Sequence, residues 1–228
     1  MLEGRTLRSK AHLWKLAVIV GLAATIISFP NRLSAKPHKP SPPQAKAVHS
    51  DIAAAKTMGT KSAPIELEIF SDFQCPVCRQ FYFGVTKQLI DEYVSSGKVF
   101  LVHHDFPLPM HAHSVDAAKW ANAAAAIGKF QEVEDVLYSK QDSWGATGKV
   151  DETVAAALSP ADMKRVRALV ESTEVGAAIQ HDEDLGKERN VGGTPSIFVT
   201  HKGQMVPLPA QGTTYTLLKQ YLDFLLRQ

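Results

Sequence analysis

The sequence PIELEIFSDFQCPVC, residues 64–78, decides the fold class of this chain. Residues 64–71 alternate Ile and Leu with Glu and Phe, which is the period of a half-buried β-strand. The stretch ends in a Cys-x-x-Cys pair formed by Cys75 and Cys78, and these are the two cysteines of the chain. A strand that leads directly into such a pair predicts a site at the start of a helix.

Downstream of Cys75, apolar residues keep helical spacing until Gly97 stops the run. Val99–Val102 then forms a short continuous apolar segment, typical of a strand that a central parallel sheet buries on both faces. The sequence therefore predicts a strand-helix-strand unit.

The rest of the chain divides into a helical block and a terminal ββα unit. Residues 112–190 predict helix almost throughout, and Ser159-Pro160 has the cap and the proline of a helix N-terminus. Residues 196–200 and 204–208 predict two short strands, and an amphipathic helix closes the chain. The predicted fold class is α/β, in the order βαβ, helical block, ββα.

Composition excludes several classes of protein. The 228 residues are 45% hydrophobic, which argues against disorder, and two cysteines are too few for a disulfide-stapled mini-protein. Lys and Arg total 25 against 23 acids, but residues 1–50 carry a net charge of +7 and the remainder −5. Because the basic charge lies outside the predicted domain, we expect no nucleic-acid partner.

The N-terminal segment predicts export. A basic start precedes the uncharged apolar residues 16–29 and then Pro30, which is the order of a signal peptide. We assign residues 1–35 to a signal peptide or, if it is not cleaved, an N-terminal anchor, and residues 36–57 to a Pro-rich linker. Either outcome places the domain in the periplasm or another extracytoplasmic compartment.

The chemistry of the Cys-x-x-Cys pair follows from its place at a helix start. There the first sulfur meets unpaired backbone N–H groups and the positive end of the helix dipole, which stabilise a thiolate. Cys78, one turn later, lies within reach to resolve a mixed disulfide. We therefore predict Cys75 as the nucleophile and Cys78 as the buried resolving thiol.

Two other interpretations of the pair stay open on the residues alone. A structural disulfide would close a very small loop and gain little stability. A zinc or copper site would need further ligands, for which the candidates are His103, His104, His111 and His113. Haem attachment is excluded because Arg79, and not His, follows Cys78.

Three motifs in order carry a resemblance to a known family: FSDFQCPVC at residues 70–78, DFPL at 105–108 and GTP at 193–195. They resemble the DsbA-type thiol:disulfide oxidoreductases over residues 58–228. The resemblance implies a thioredoxin-like fold with a central mixed sheet and an inserted all-helical subdomain at about 112–190. It also implies thiol-disulfide exchange with protein substrates, either oxidative folding or reduction and isomerisation.

The resemblance also assigns the site. Cys75 and Cys78 are the catalytic pair, supported by Pro76, Val77 and a cis Pro195, and Thr194 with Pro195 contacts an extended substrate. No cofactor beyond the Cys75–Cys78 disulfide and no metal is expected. Because the residues between the cysteines are Pro-Val and lack the His of the strongest oxidases, we expect a less extreme thiolate.

The expected partners are cysteine-containing exported proteins and a membrane or extracytoplasmic redox partner, and the expected state is a monomer. Placed beside the DFPL motif, the four His residues are predicted to be loop and surface residues. Trp120 and Trp144 are predicted to lie in the core of the helical block.

Overall fold

The sheet at the centre of the molecule is mixed. A computed structural model describes residues 51–209 and 213–228. Its strands are β1 Thr57–Met58, β2 Ile65–Ser71, β3 Val99–Asp105, β4 Ser196–His201 and β5 Gln204–Leu208. They are ordered β1-β3-β2-β4-β5, with β2 parallel to β3 and every other neighbouring pair antiparallel. The predicted mixed sheet is confirmed.

The helices of the described residues follow the predicted order. Helix α1 spans Pro76–Phe81 and continues through a π-helical turn, a short α-helical segment and a second π-helical turn at Tyr82–Thr86, Lys87–Leu89 and Ile90–Val94. The helical block contains α2 Ser114–Ala125, α3 Phe130–Ser139, α4 Gln141–Thr147, α5 Val150–Ala155, α6 Pro160–Leu169 and α7 Thr173–Glu188, and α8 Tyr215–Leu225 follows the last strand. The two short helices α4 and α5 were not distinguished from the sequence.

The ends of α1 and α6 follow from local chemistry. The chain leaves α1 through Gly97, whose φ of 71° is a left-handed conformation that glycine adopts without steric cost. At α6, the Ser159 side chain accepts a hydrogen bond from the Asp162 amide, with Pro160 at the first helical position. Both predicted boundary signals are confirmed.

Strand β2 is buried on both faces, so the prediction of a half-buried strand is wrong. One face packs under α1 and α8, where Leu89, Leu218 and Leu222 are buried. On the other face, where polar exposure was expected, Glu68 is only 4% exposed and Phe70 is fully buried. The helical block covers this face. The exposure of a strand depends on the elements that pack against it in the folded protein, and the local sequence pattern does not determine it.

Helix α7 approaches this second face closely. A Cβ atom at Gly186 would lie 2.5 Å from the Phe106 ring and 3.3 Å from the Phe70 ring, so a side chain here would force the aromatic rings apart. Phe70 also packs edge-on against Phe106 and Phe198. Because Gly186 has no side chain, α7 can pack closely against this face of the sheet.

The helical block has its own core. Trp144 is fully buried and Trp120 is 7% exposed, among the alanines of α2 and the apolar side chains of α3 and α5. The prediction that both tryptophans belong to this core is confirmed. Cys75, Cys78 and Phe73 belong to the same cluster, so the block packs directly on the segment that carries the cysteines.

The folded unit begins before residue 58, which corrects the predicted linker boundary. Residues 51–55 are helical, Ile52 is fully buried in the core of the helical block, and Lys56 is 3% exposed. The predicted signal peptide or anchor and the linker before residue 51 lie outside the described residues. Over residues 51–209 and 213–228, no helix combines the length and the hydropathy needed to cross a bilayer.

Candidate active site

Cys75 is the N-cap residue of α1. Its amide donates to the Asp72 carbonyl oxygen at 3.1 Å, and its own carbonyl oxygen accepts the first helical hydrogen bond from the Arg79 amide at 3.2 Å. Pro76 follows at the first helical position, where its lack of an N–H costs nothing. Both Pro76 and Val77 are exposed, whereas Cys78 is buried one turn into the helix.

The two thiols titrate in opposite directions. A hydrogen bond from the Cys78 thiol lowers the pKa of Cys75 to about 5, against the opposing effect of burial, and the backbone amides of Cys78 and Val77 and the Thr194 side chain contribute. Burial, followed by the hydrogen bond to Cys75, raises the pKa of Cys78 well above its usual value. At neutral pH the pair therefore holds one thiolate and one thiol, both sulfurs being free of a disulfide in this structure.

The loop before β4 faces the first cysteine. The Thr194–Pro195 peptide bond is cis, as the resemblance implied, and the Thr194 carbonyl oxygen lies 3.5 Å from Cys75 Sγ. Ser196 Oγ donates to the Gly193 carbonyl oxygen at 2.7 Å and closes the loop. The structure thus brings Cys75, Cys78, Thr194 and Pro195 together, although 119 residues separate Cys75 from Thr194.

Asp72 anchors the segment before Cys75, a role that the sequence analysis missed. Its buried carboxylate accepts hydrogen bonds from the amides of Gln74 at 2.7 Å and Leu108 at 2.8 Å, and from the Ser114 hydroxyl. The His111 ring Nδ1 lies 2.7 Å from the same carboxylate. Asp72 stands in the quoted motif, but its partners come from the segment after β3 and could not be identified from spacing.

Gln141 ties the cysteine segment to the helical block. Its side-chain amide, 4% exposed on α4, donates to the Phe73 carbonyl oxygen at 2.7 Å and to the Cys75 carbonyl oxygen at 3.0 Å. In turn, the Gln74 side chain of the cysteine segment donates to the Gly145 carbonyl oxygen on α4 and accepts a hydrogen bond from the His113 amide. No local signal marks Gln141, because α4 was not predicted as a separate helix.

Comparison with known proteins places this geometry in a family. Residues 53–215 match the family model Thioredoxin_4, described as thioredoxin. The chain belongs to the DsbA-like thioredoxin family. It is a thiol:disulfide oxidoreductase.

The DsbA-like chain is similar to the "Probable disulfide bond formation protein D" of Bacillus anthracis, with 28% identity over 153 residues, covering 63% of this chain and 69% of that protein. Among solved structures, it is similar to α-DsbA1 of Wolbachia pipientis, with a TM-score of 0.62 and 17% identity, covering 75% of this chain and 89% of the other. Oxidised BdbD of Bacillus subtilis aligns with a TM-score of 0.60 and 18% identity, covering 76% and 93%. At these identities the solved structures establish the fold.

Two of the four predicted surface histidines of this DsbA-like chain are buried, which corrects the prediction. His103 and His104 lie within β3, which extends three residues beyond the predicted strand end. His103 Nδ1 lies 3.1 Å from Glu134 Oε1, and His104 lies within 3.1 Å of Asp182 and Glu68. These carboxylates compensate for burial and allow ring nitrogens to sit inside the protein.

These histidines belong to a larger set that we call the buried charge network: Lys56, Glu68, His103, His104, Asp105, Glu134, Asp182 and Arg189. Lys56 Nζ lies 2.6 Å from Asp105 and also contacts Asp182 on α7. The Asn122 amide on α2 donates to Asp105 at 2.7 Å. Through Glu134 and Asp182 the network joins the sheet to α3 and α7, and through its contact with Asn122 to α2.

The network fixes protonation states. Although burial opposes the charge, the adjacent carboxylates of Asp105 and Glu134 raise the pKa of His103 to about 9. The pKa of His104 is also raised, and those of Asp105 and Asp182 are lowered. Over residues 51–209 and 213–228, no three His, Cys, Asp or Glu side chains are arranged to hold a metal ion.

Proposed function

We propose that this oxidoreductase is exported and transfers its Cys75–Cys78 disulfide to the cysteines of other exported proteins during oxidative folding. The observation that carries the proposal is the opposite titration of two thiols one helical turn apart. Cys75 is the more exposed of the two, at 6% against 2% for Cys78, and it lies against the Thr194–Pro195 loop. The basic and apolar N-terminal sequence, residues 1–35, supports export.

The proposed exchange has two steps. A substrate thiolate attacks Cys75 Sγ, the Cys75–Cys78 bond breaks, and Cys78 keeps the electron pair and takes a proton. A second substrate thiolate then attacks the substrate sulfur of the mixed disulfide, and Cys75 leaves as a thiolate. The substrate is oxidised to a disulfide, and the enzyme is reduced to the dithiol.

The leaving group supports the proposed direction. A thiol with a pKa of about 5 leaves readily, and at pH 7 its stabilised thiolate favours the reduced enzyme, which makes the disulfide oxidising. The corresponding thiol of thioredoxin, which acts as a reductant, has a pKa of about 7. No cofactor takes part in the proposed steps, and a membrane or extracytoplasmic partner accepts electrons from the dithiol.

Cysteine variants test the mixed disulfide. Cys78→Ser leaves the nucleophile without its resolving thiol, so we expect disulfide-linked complexes of this variant with exported proteins, visible on non-reducing gels and lost on reduction. Cys75→Ser is the matched control and is expected to trap none. If Cys78→Ser traps no partner while iodoacetamide still alkylates Cys75 rapidly, the exchange mechanism is wrong.

A redox titration tests the direction. Equilibration of the wild-type protein with glutathione buffers is expected to give a potential in the range of oxidants, above that of thioredoxin at about −270 mV. A potential at or below the thioredoxin value would instead assign the chain to reduction.

A further inference from the structure

A small cavity lies behind the resolving cysteine. Its volume is about 20 Å³, and its lining includes Cys78, Ser71, Tyr138, His103 and Glu134. A cavity of this size holds one water molecule when polar groups surround it. The cavity therefore connects the buried sulfur to titratable side chains on β3 and α3.

The buried thiol needs a proton acceptor. Cys78 is 2% exposed, and it has to lose its proton before its sulfur can attack a mixed disulfide at Cys75. The hydroxyl groups of Ser71 and Tyr138, 2.7 Å apart, line the cavity but are weak bases. Burial raises the pKa of Tyr138 well above its usual value, which keeps this hydroxyl protonated.

Glu134 provides the carboxylate. Of the described residues around the cavity, it is the one that carries a carboxylate, and it is 4% exposed. His103 Nδ1 holds it at 3.1 Å, and His103 is itself stacked on Phe73 with ring centroids 5.4 Å apart. The other titratable groups that face the cavity are Lys56, Tyr82 and Tyr138. None of these is a carboxylate.

We propose that the Glu134 carboxylate accepts the proton of Cys78 across this cavity and returns it in the reverse half-reaction. The inference rests on the proposed function. In reoxidation, Cys78 Sγ–H gives its proton to Glu134, the sulfur forms the bond to Cys75, and the partner's thiolate leaves with the electron pair. In substrate oxidation the Cys75–Cys78 bond breaks, Cys78 keeps the electron pair, and the proton moves back from Glu134 to Cys78.

His103 is a positioning residue in this scheme. The ion pair between its Nδ1 and Glu134 Oε1 holds one carboxylate oxygen in place. Its Nε2 lies 3.5 Å from Asp105, which forms an ion pair with Lys56. The buried charge network thus holds the proton acceptor beside the cavity. This role is independent of the Cys-x-x-Cys motif, because Glu134 comes from the inserted helical block.

The closure of a mixed disulfide tests the proposal. Cys75 is first converted to its glutathione adduct in mild acid, the pH is raised to 7, and the loss of the adduct is followed by mass spectrometry of acid-quenched samples. We expect Glu134→Gln to close at least tenfold more slowly than wild type, with a rate that rises continuously with pH. Glu132→Gln, an exposed acid on the same helix paired with Lys129, is the matched control and is expected to close at the wild-type rate.

Closure of Glu134→Gln within twofold of the wild-type rate would overturn the proposal. The rate at which Cys75 forms the adduct is expected to be equal in all three proteins, so this step reports separately on the nucleophile. If the wild-type protein forms no adduct, the proposed function fails at Cys75 itself, and the role of Glu134 fails with it.

Infrared spectroscopy of the wild-type protein tests the same point without a substitution that could impair folding. The oxidised-minus-reduced difference spectrum is expected to contain the C=O stretch of a protonated carboxylic acid in the oxidised state. The S–H stretch of Cys78 is expected in the reduced state. The carboxylic acid band should persist in Glu132→Gln, and its absence from the wild-type spectrum would contradict the proposal.

Discussion

The dithiol site and the buried charge network are both buried polar regions, yet they stabilise their charges by different interactions. The network pairs four carboxylates with four basic side chains across the sheet and the helical block. The dithiol site places a single thiolate at a helix start, where backbone amides and the neighbouring thiol stabilise it. The paired charges hold the sheet and the helical block together, with Glu134 at the edge of the cavity behind Cys78, whereas a thiolate stabilised by hydrogen bonds alone stays available to react as a nucleophile.

The largest expected effect comes from breaking the network. Lys56→Met leaves Asp105 and Asp182 buried without their shared cation, and we expect a loss of about 3–5 kcal/mol in the free energy of unfolding, measured in urea. Lys87→Met removes an exposed pair with Asp135 and is expected to cost about 0–1 kcal/mol. Equal losses in the two variants would show that burial of the network does not matter.

The pH dependence of stability sharpens the comparison. The pKa of His103 is about 9 when folded against 6.5 in the unfolded chain, so its contribution is complete below about pH 6.5 and is lost as pH rises through 9. We expect wild type to lose on the order of 2–3 kcal/mol over this range. His103→Gln should flatten the profile without abolishing it, because the pKa of His104 is also raised.

The control for this profile is His201→Gln, at the last residue of β4 and outside the network. The free energy of unfolding of this variant is expected to fall between pH 6.5 and 9 as steeply as that of wild type. A wild-type protein whose unfolding free energy is constant over that range would contradict the assignment of a charged His103.

The smallest expected effect is within the dithiol. Cys78→Ala removes the hydrogen bond that contributes most to the low pKa of Cys75, so we expect this pKa to rise from about 5 by about one unit or more. The pH dependence of alkylation by iodoacetamide measures it. Cys78→Ser retains an O–H donor and should give a smaller rise. An unchanged Cys75 pKa in Cys78→Ala would show that the backbone amides of the helix, and not the Cys78 thiol, stabilise the thiolate.

The fold was largely predictable because its signals are local. The period of β2, the stop at Gly97 and the cap at Ser159 each lie within a few residues of the feature that they determine. The exposure of β2 was not predictable. Whether Glu68 and Phe70 face water depends on α7, which lies more than a hundred residues later in the chain.

The same division applies to the site. Cys75, Cys78 and the Thr194–Pro195 loop follow from motif and order, but Gln141 and Asp72 act through partners far along the chain. The place of His103 and His104 beside the DFPL motif predicts loop and surface residues, and this prediction is wrong. Their burial requires Glu134 and Asp182, which only the packing of α3 and α7 brings to β3.

The sequence by itself determined the reactive pair, since a helix start and a spacing of three residues fix the environment of the first thiol. Tertiary structure alone decided which charges are buried and what lines the cavity behind Cys78. The physical reason is the separation along the chain over which each interaction acts. Backbone amides act over one helical turn, whereas a buried ion pair such as Lys56 with Asp182 joins residues 126 positions apart and exists only after packing has removed water from both.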